Sequence, residues 1–330
     1  MQHVGDGVGY DEALGADNRQ ARNVSAAAVE YLDGAPKQPF FLDVGYGETH
    51  LPFPEMSQQD SRYVRVPDPL PDTPETRRMM AGYHESVRRM DEGHGRVLEG
   101  LERNGLAQNT LVVCTTDHGV PFPGMKCHLT DHGMGVYLII RGPGGFTGGT
   151  VCDALVSHVD LYPTICEVAG ITAPTHLQGV SLLPLVRDPA AVVRDELFAE
   201  VNYHAAYDPG RAVRTDRWKL IIHYDEEMTT PVLANCDDSE AKSVWLEHDW
   251  AQRPVAAERL YDVIFDPNES CNLAADPGHA MVLEEMRVRL HRWMEATDDP
   301  LLEGPVAAPK GARINDKHGG SPRDAPGVVE

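Results

Sequence analysis

The sequence predicts an α/β fold, a three-layer α/β/α sandwich around a mainly parallel sheet, followed by a small antiparallel-sheet subdomain with a packing helix. Three observations predict it. Helix-like stretches alternate with strand-sized apolar runs over roughly the first 190 residues, which is the signature of a sheet covered by helices. Beyond about residue 194 the texture changes to short strand-like runs separated by turns. With 330 residues and 42% hydrophobic content, the chain is long enough for one large core and a satellite.

The elements follow in order. Residues 22–33, RNVSAAAVEYLD, are rich in good helix formers and stop at Gly34-Ala35-Pro36. Residues 39–46, PFFLDVGY, read as a buried strand opening into the loop GETHLPFP, which holds His50. A proline-rich connector at 68–76 gives way at Thr73-Pro74 to a helix. Over 75–104 Met79, Met80, Tyr83, Val87, Met90, Val97, Leu98 and Leu101 recur near helical spacing, and Gly105 follows as a stop. The run TLVVCT at 110–115 reads as a buried strand feeding Asp117-His118-Gly119, and Val136 to Ile140 as another. LYPTICEVAG, entered through Ser157-His158-Val159-Asp160, is helical to Gly170. ELFAEV, RAVRT, WKLIIHY and RLYDVIF supply the antiparallel sheet, and Pro277 to Ala296 the closing helix. The expected domains are therefore 1–193 for the α/β part, 194–301 for the α+β subdomain, and 302–330 for a disordered tail that carries almost no large apolar residue.

Composition excludes some functions. With 51 acidic against 29 basic residues the formal charge of -22 repels phosphate backbones and anionic headgroups, so nucleic acid is not an expected partner. The longest apolar runs fall far short of the ~18–20 residues of a membrane span. The first twenty residues have neither a basic start nor an apolar stretch, so no secretory signal is read in them. Six scattered cysteines without a C-x-x-C pair suggest free thiols, and nothing in the chain marks an oligomeric state.

Ligands of open α/β sheets sit outside the carboxyl ends of strands, which puts Asp117 and His118 in place for a site. A carboxylate there either ligates a hard cation or caps a turn. Lys126, in the otherwise uncharged loop PFPGMKCHLT, either holds an anionic ester oxygen or is an ordinary solvated lysine. A second Thr-Asp-His-Gly at 130–133 precedes a strand instead of following one and is ranked below the first. His50 follows a strand end, where an imidazole can donate to a ligand oxygen or a leaving group.

PFFLDVGYGETHLPFP, GLAQNTLVVCTTDHG, Lys126, VYLIIRGPGG, VSHVDLYPTICEVAG and LQGVSLLPLV resemble, in that order, the latter part of a type I sulfatase of the alkaline phosphatase superfamily. ELFAEVNYHAAYDPGRAVRTDRWKLI and LYDVIFDPNESCNLAADP are similar to the C-terminal subdomain of the heparan N-sulfatase (N-sulfoglucosamine sulfohydrolase) group. The resemblance implies an alkaline-phosphatase-like sandwich and hydrolysis of sulfate esters or N-sulfates on a carbohydrate or small organic sulfate. It implies that Asp117 and His118 ligate a divalent cation, usually Ca2+, that Lys126 and His50 bind the sulfate, and that His204 and Arg211 line the substrate pocket.

The family's nucleophile is a formylglycine made from a C/S-x-P/A-x-R motif, and no Cys or Ser in this sequence begins one. The expectation is a chain truncated at its N-terminal side, with an incomplete sheet, an incomplete cation ligand set and no turnover by itself. A phosphoester hydrolase of the same superfamily and a non-catalytic glycan-binding protein are the alternatives.

Overall fold

The computed structural model describes residues 9–329; the first eight residues of the glycine-rich start lie outside the described residues. The chain divides into two compact units, residues 9–112 with 239–241, and residues 113–238 with 242–329. Each is built around its own helices.

The first unit contains α1 (Ala21–Asp33) and α2 (Pro74–Arg103). Thr73 caps α2: its hydroxyl accepts from the Thr76 amide, the Thr76 hydroxyl accepts from the Thr73 amide, and Pro74 supplies a preset first turn. The two helices bury Leu32 and Leu101 against Ala107, with Phe40, Leu42 and Val97 closing the cluster. Leu32 is 0% exposed. Full burial of such side chains contributes about 1.5–3 kcal/mol each, which holds this helix pair together.

The second unit begins with β1 (Val112–Thr115), whose first residue belongs to the first unit. α3 (Asp131–Met134), β2 (Leu138–Arg141), α4 (Leu161–Ala169) and α5 (Leu183–Arg187) follow. Then come β3 (Leu197–Tyr203), β4 (Tyr207–Arg214) and β5 (Trp218–His223). α6 (Glu240–Glu247), whose first two residues belong to the first unit, β6 (Glu258–Asp262), α7 (Ala280–Ala296), β7 (Arg313–Ile314) and β8 (Gly327–Val328) complete it. β3-β4-β5-β6 form an antiparallel meander in sequence order. Alternation along β5 sends Leu220 to one face and Ile221 to the other. On the first face Val213, Leu220 and Leu260 meet Leu283, Met286, Leu290 and Met294 of α7. On the second, Ala212, Ile221, Tyr261 and Val263 meet Leu129 and Met134. That contact fixes the loop on which the candidate site is built.

The mainly parallel sheet is not what the chain forms. Among the described residues the first half contributes only the pair β1-β2, while the largest sheet and the β7-β8 pair run antiparallel. Residues 39–46, expected as a strand, carry no strand assignment, and Phe41 is 72% exposed. A strand is defined by its partner, and this segment opens with a proline that has no N–H to give. An α/β chain with a small C-terminal antiparallel subdomain remains the correct coarse description.

The segment past residue 302, expected to be disordered, is instead tethered through polar groups. Tyr203 donates its hydroxyl proton to the Val306 carbonyl (2.7 Å), and the Val306 amide donates to Tyr207 (3.1 Å). The Asn315 amide donates to the Ala205 carbonyl (2.8 Å), and Lys317 pairs with Asp225 (2.7 Å) and Glu227 (3.0 Å). Among the described residues no helix is long and apolar enough to cross a membrane.

Candidate functional site

β1 ends at Thr115 and passes the chain into Thr116-Asp117-His118-Gly119. The Asp117 side chain is 84% exposed. The His118 amide donates to Asp117 Oδ1 (3.1 Å), which leaves Oδ2 facing His118 Nε2 at 3.6 Å. His118 Nδ1 lies 2.7 Å from the Gly119 carbonyl oxygen, which can only accept, so the ring proton sits on Nδ1 and Nε2 carries a lone pair. Carboxylate and imidazole thus present two lone pairs to each other, and a proton or a cation would bridge them.

His158, just ahead of α4, supports the strand end. The Thr115 hydroxyl donates to the Tyr137 carbonyl (2.8 Å), so at 2.8 Å from His158 Nε2 it accepts, and His158 is protonated on Nε2. Burial holds the His158 imidazole below its ordinary value, against the opposing pull of the Asp117 charge. Ser157 and Asp160 fix the turn that carries it through a capping box.

From Gly119 the chain loops through Phe122 and Met125, which are 2% and 0% exposed and anchor the loop. Lys126 follows, with its Nζ 2.8 Å from Asp237 Oδ2. The next residue, Cys127, is held at φ +68°, a left-handed backbone costly for a residue with a Cβ and a sign that the geometry beside Lys126 is enforced by its surroundings. Burial pushes the thiols of Cys127 and Cys236 up to about 12, so neither is a thiolate nucleophile near neutrality.

The second Thr-Asp-His-Gly is a different object. The Asp131 carboxylate takes Lys219 Nζ at 2.7 Å and Arg214 Nε at 3.1 Å. The Asp131 amide donates to Glu269, whose carboxylate is also 3.1 Å from Lys219. Lys219 and Glu269 are both 0% exposed in their side chains, so this is an internal ion-pair hub that ties α3 to the β5 strand and the turn after β6. The two tetrapeptides also interlock. The Gly119 amide donates to the Gly133 carbonyl at 2.8 Å. A Cβ on Gly119 would lie 1.9 Å from the His132 carbonyl oxygen, and one on Gly133 would lie 2.2 Å from those of Met125 and His128.

Of the remaining sequence-predicted residues, His50 lies in the first unit. Its Nδ1 is 2.8 Å from the Leu51 carbonyl oxygen, which puts the proton on Nδ1. It lines a pocket of about 260 Å³ together with Arg19, Glu48, Phe53, Ser86 and Arg89. His204 is exposed on the turn between β3 and β4. Arg211 is buried. Its side chain is 0% exposed, forked onto Asp299 (2.5 and 2.9 Å) with Nη1 on the Val201 carbonyl and Asn202. Sequence reasoning did not single out His158, Asp237 or the Lys219–Glu269 pair. Only His158, in the polar turn SHVD before a helix, left a local signal.

Asp117 and His118 are the only sequence-predicted cation ligands. Among the described residues no group of three or more His, Cys, Asp or Glu side chains is arranged to hold a metal ion. Calcium takes about 6–8 oxygens, and Asp117 offers two at most. As a calcium site the donor set does not fit on its own, and no step below is routed through a cation.

Two family profiles match the chain, one described as sulfatase over residues 10–171 and one as the C-terminal part of N-sulphoglucosamine sulphohydrolase over residues 125–253. The chain is 29% identical to human N-sulphoglucosamine sulphohydrolase over 90% of its own length and 69% of that protein. It is 30% identical to an ulvan-active sulfatase of Formosa agariphila over 74% of its own length and 43% of that protein. The chain thus spans about two thirds of the first relative and less than half of the second. Among solved structures, a candidate sulfatase from Bacteroides thetaiotaomicron superposes with a TM-score of 0.65 at 22% identity, covering 96% of this chain and 73% of that one.

Proposed function

From the match of a sulfatase profile to residues 10–171 and the likeness to human N-sulphoglucosamine sulphohydrolase, we propose that the chain is a sulfatase that carries the sulfate-holding groups of a hydrolase acting on sulfate esters or N-sulfates of carbohydrates. The observation that carries the reading is the contrast between the two Thr-Asp-His-Gly turns. Asp131 is spent on Lys219 and Arg214, whereas Asp117 stands 84% exposed at a strand end beside a His118 lone pair. Lys126 supplies the ammonium that a sulfate needs. Its bond to Asp237 orients it and leaves two of its three protons for ligand oxygens.

N-sulfated glucosamine is the substrate class we favour, because the family profile over residues 125–253 is that of N-sulphoglucosamine sulphohydrolase and spans Lys126 and Asp237. Since no Cys or Ser begins a C/S-x-P/A-x-R motif, the chain by itself binds the sulfated sugar and does not turn it over.

Calorimetric titration with glucosamine N-sulfate, with released sulfate followed by ion chromatography, tests this. We expect saturable binding and no sulfate release. Lys126→Ala removes a charged hydrogen bond of about 1.5–3 kcal/mol and should weaken binding roughly 10- to 100-fold. Affinity unchanged by Lys126→Ala would overturn the assignment of the site, and release of sulfate would overturn the claim that the chain is catalytically silent.

A further inference from the structure

The cavity that holds His50 lies wholly within the first unit, and one group on its wall is left unanswered by the fold. Ser86, in the middle of α2, is 1% exposed, and its Oγ has no hydrogen-bond partner among the described residues. A serine inside a helix commonly returns its proton to the carbonyl one turn back, and buried hydroxyls are nearly always partnered. A buried hydroxyl left open on a cavity wall is a place for a ligand atom.

The walls around that hydroxyl are fixed. The Gly47 amide donates to the Asn18 carbonyl (2.6 Å), and the Glu48 carboxylate accepts from the Ala21 amide at the start of α1 (2.7 Å). Gly82 lets the loop lie directly on α2, since a Cβ there would fall 2.5 Å from the Pro54 carbonyl oxygen. Little ordering remains to be done on binding.

Charge and proton count select the ligand. Arg89 is shared between Glu85 (2.8 Å) and Glu48 (3.9 Å). Arg19 is exposed and has no acidic partner among the described residues, and its guanidinium gives a single bond, to the Leu51 carbonyl (3.3 Å). One uncompensated guanidinium matches one carboxylate, which it takes in bidentate fashion. His50 asks for the opposite: with its Nδ1 proton on the Leu51 carbonyl, Nε2 offers a lone pair and needs a proton from the ligand. Free sulfate brings two charges and no proton, and a simple carboxylate leaves Nε2 unanswered. A hydroxylated monocarboxylate answers both. Pro52, Phe53 and Pro54 add an apolar wall for a ring face, and about 260 Å³ admits one sugar ring. We propose that this cavity binds a sugar carboxylate of the hexuronate class, its carboxylate on Arg19, one hydroxyl donating to His50 Nε2 and another paired with Ser86 Oγ. His50 thereby takes an accepting part in place of the sulfate-binding one that the family resemblance implies, and Lys126 has no part in the site.

The test is a ligand-observed NMR titration of the full chain with glucuronate, with glucose and inorganic sulfate as comparators. Glucuronate should bind saturably, and glucose and sulfate each at least about tenfold more weakly. Arg19→Ala should weaken glucuronate at least about tenfold and Ser86→Ala about three- to tenfold. Arg19 is exposed and Ser86→Ala removes a hydroxyl that has no partner, so neither variant should lower the thermal unfolding midpoint. No glucuronate binding, or glucose or sulfate bound as tightly as glucuronate, would overturn the assignment. So would a Ser86→Ala variant that unfolds at a higher temperature yet binds glucuronate as the parent does, because the hydroxyl would then be a packing defect. Glucuronate carries no sulfate, so this titration and that of glucosamine N-sulfate on Lys126→Ala fail or succeed separately.

Discussion

Replacing Lys219 with methionine removes the one cation shared by Asp131 and Glu269 and keeps the volume nearly constant. Asp131 is 33% exposed and retains Arg214 at 3.1 Å, so most of the loss falls on Glu269, whose side chain is 0% exposed. Breaking a buried pair from one side costs about 3–5 kcal/mol. Glu269 keeps the Asp131 amide as a donor, which places the expectation at the lower end, about 3 kcal/mol. In a unit of roughly 200 residues this lowers the unfolding midpoint by about 6–12 °C. Burial already raises the Glu269 carboxyl above its ordinary 4.5, although Lys219 pulls the other way. Without the ammonium it rises further. A raised acid is destabilising where the group must ionise, so the deficit is smallest below the ordinary value and grows as pH climbs through the folded one. Urea unfolding at pH 5 and pH 8, on Lys219→Met, Glu269→Gln and the double variant, measures this. The double variant should recover about 2 kcal/mol relative to the sum of the singles. A single variant costing under about 1 kcal/mol, or strict additivity, would refute the account of Asp131 as a structural residue.

Two further outcomes follow from the same geometry. Asp131→Asn should lower the unfolding midpoint clearly while Asp117→Asn leaves it within error, since only the former breaks internal ion pairs; equal effects in thermal melts would contradict the division of roles. Burial holds His128 below its ordinary 6.5 even though Asp208 pulls it upward, with Arg259 and His223 adding to the lowering. A lowered base contributes stability that is full above the ordinary value and is lost as pH falls through the folded one. The unfolding midpoint should therefore be flat above about pH 7 and decline below 6.5, and His128→Gln should flatten that decline in pH-dependent melts.

How much of this was legible in the sequence depends on how far apart the partners lie. α2 and α7 could be read because helical periodicity and caps are local, and the strands β3 to β6 because short apolar runs and turns mark them. The segment 39–46 has the composition of a strand, but strand pairing is a property of two segments and composition reports on one. The roles of Asp131 and Arg211 were hidden for the same reason. Asp131 finds Arg214, Lys219 and Glu269 at separations of 83 to 138 residues, and Arg211 finds Asp299 at 88. The stretch past residue 302 looked unable to fold because it lacks apolar mass, whereas Asn315 and Lys317 hold it through hydrogen bonds and ion pairs that composition does not weigh. The position of Asp117 at a strand end was legible because the apolar run 110–115 leads directly into it.

The interlock of Gly119 with Gly133 makes the two turns a single mechanical part. A side chain at position 119 would run into the second turn, and one at 133 into the Met125 and His128 carbonyls of the loop that joins the two turns, so the turns and that loop constrain one another. For protein engineering the unit of exchange is accordingly the whole cassette 117–133, anchored by Phe122 and Met125 and carrying Lys126 within it. A swap at that length moves the exposed acid, the ammonium and Asp131 together, and it has to keep an acid at 131 for the Lys219 and Arg214 that stay behind.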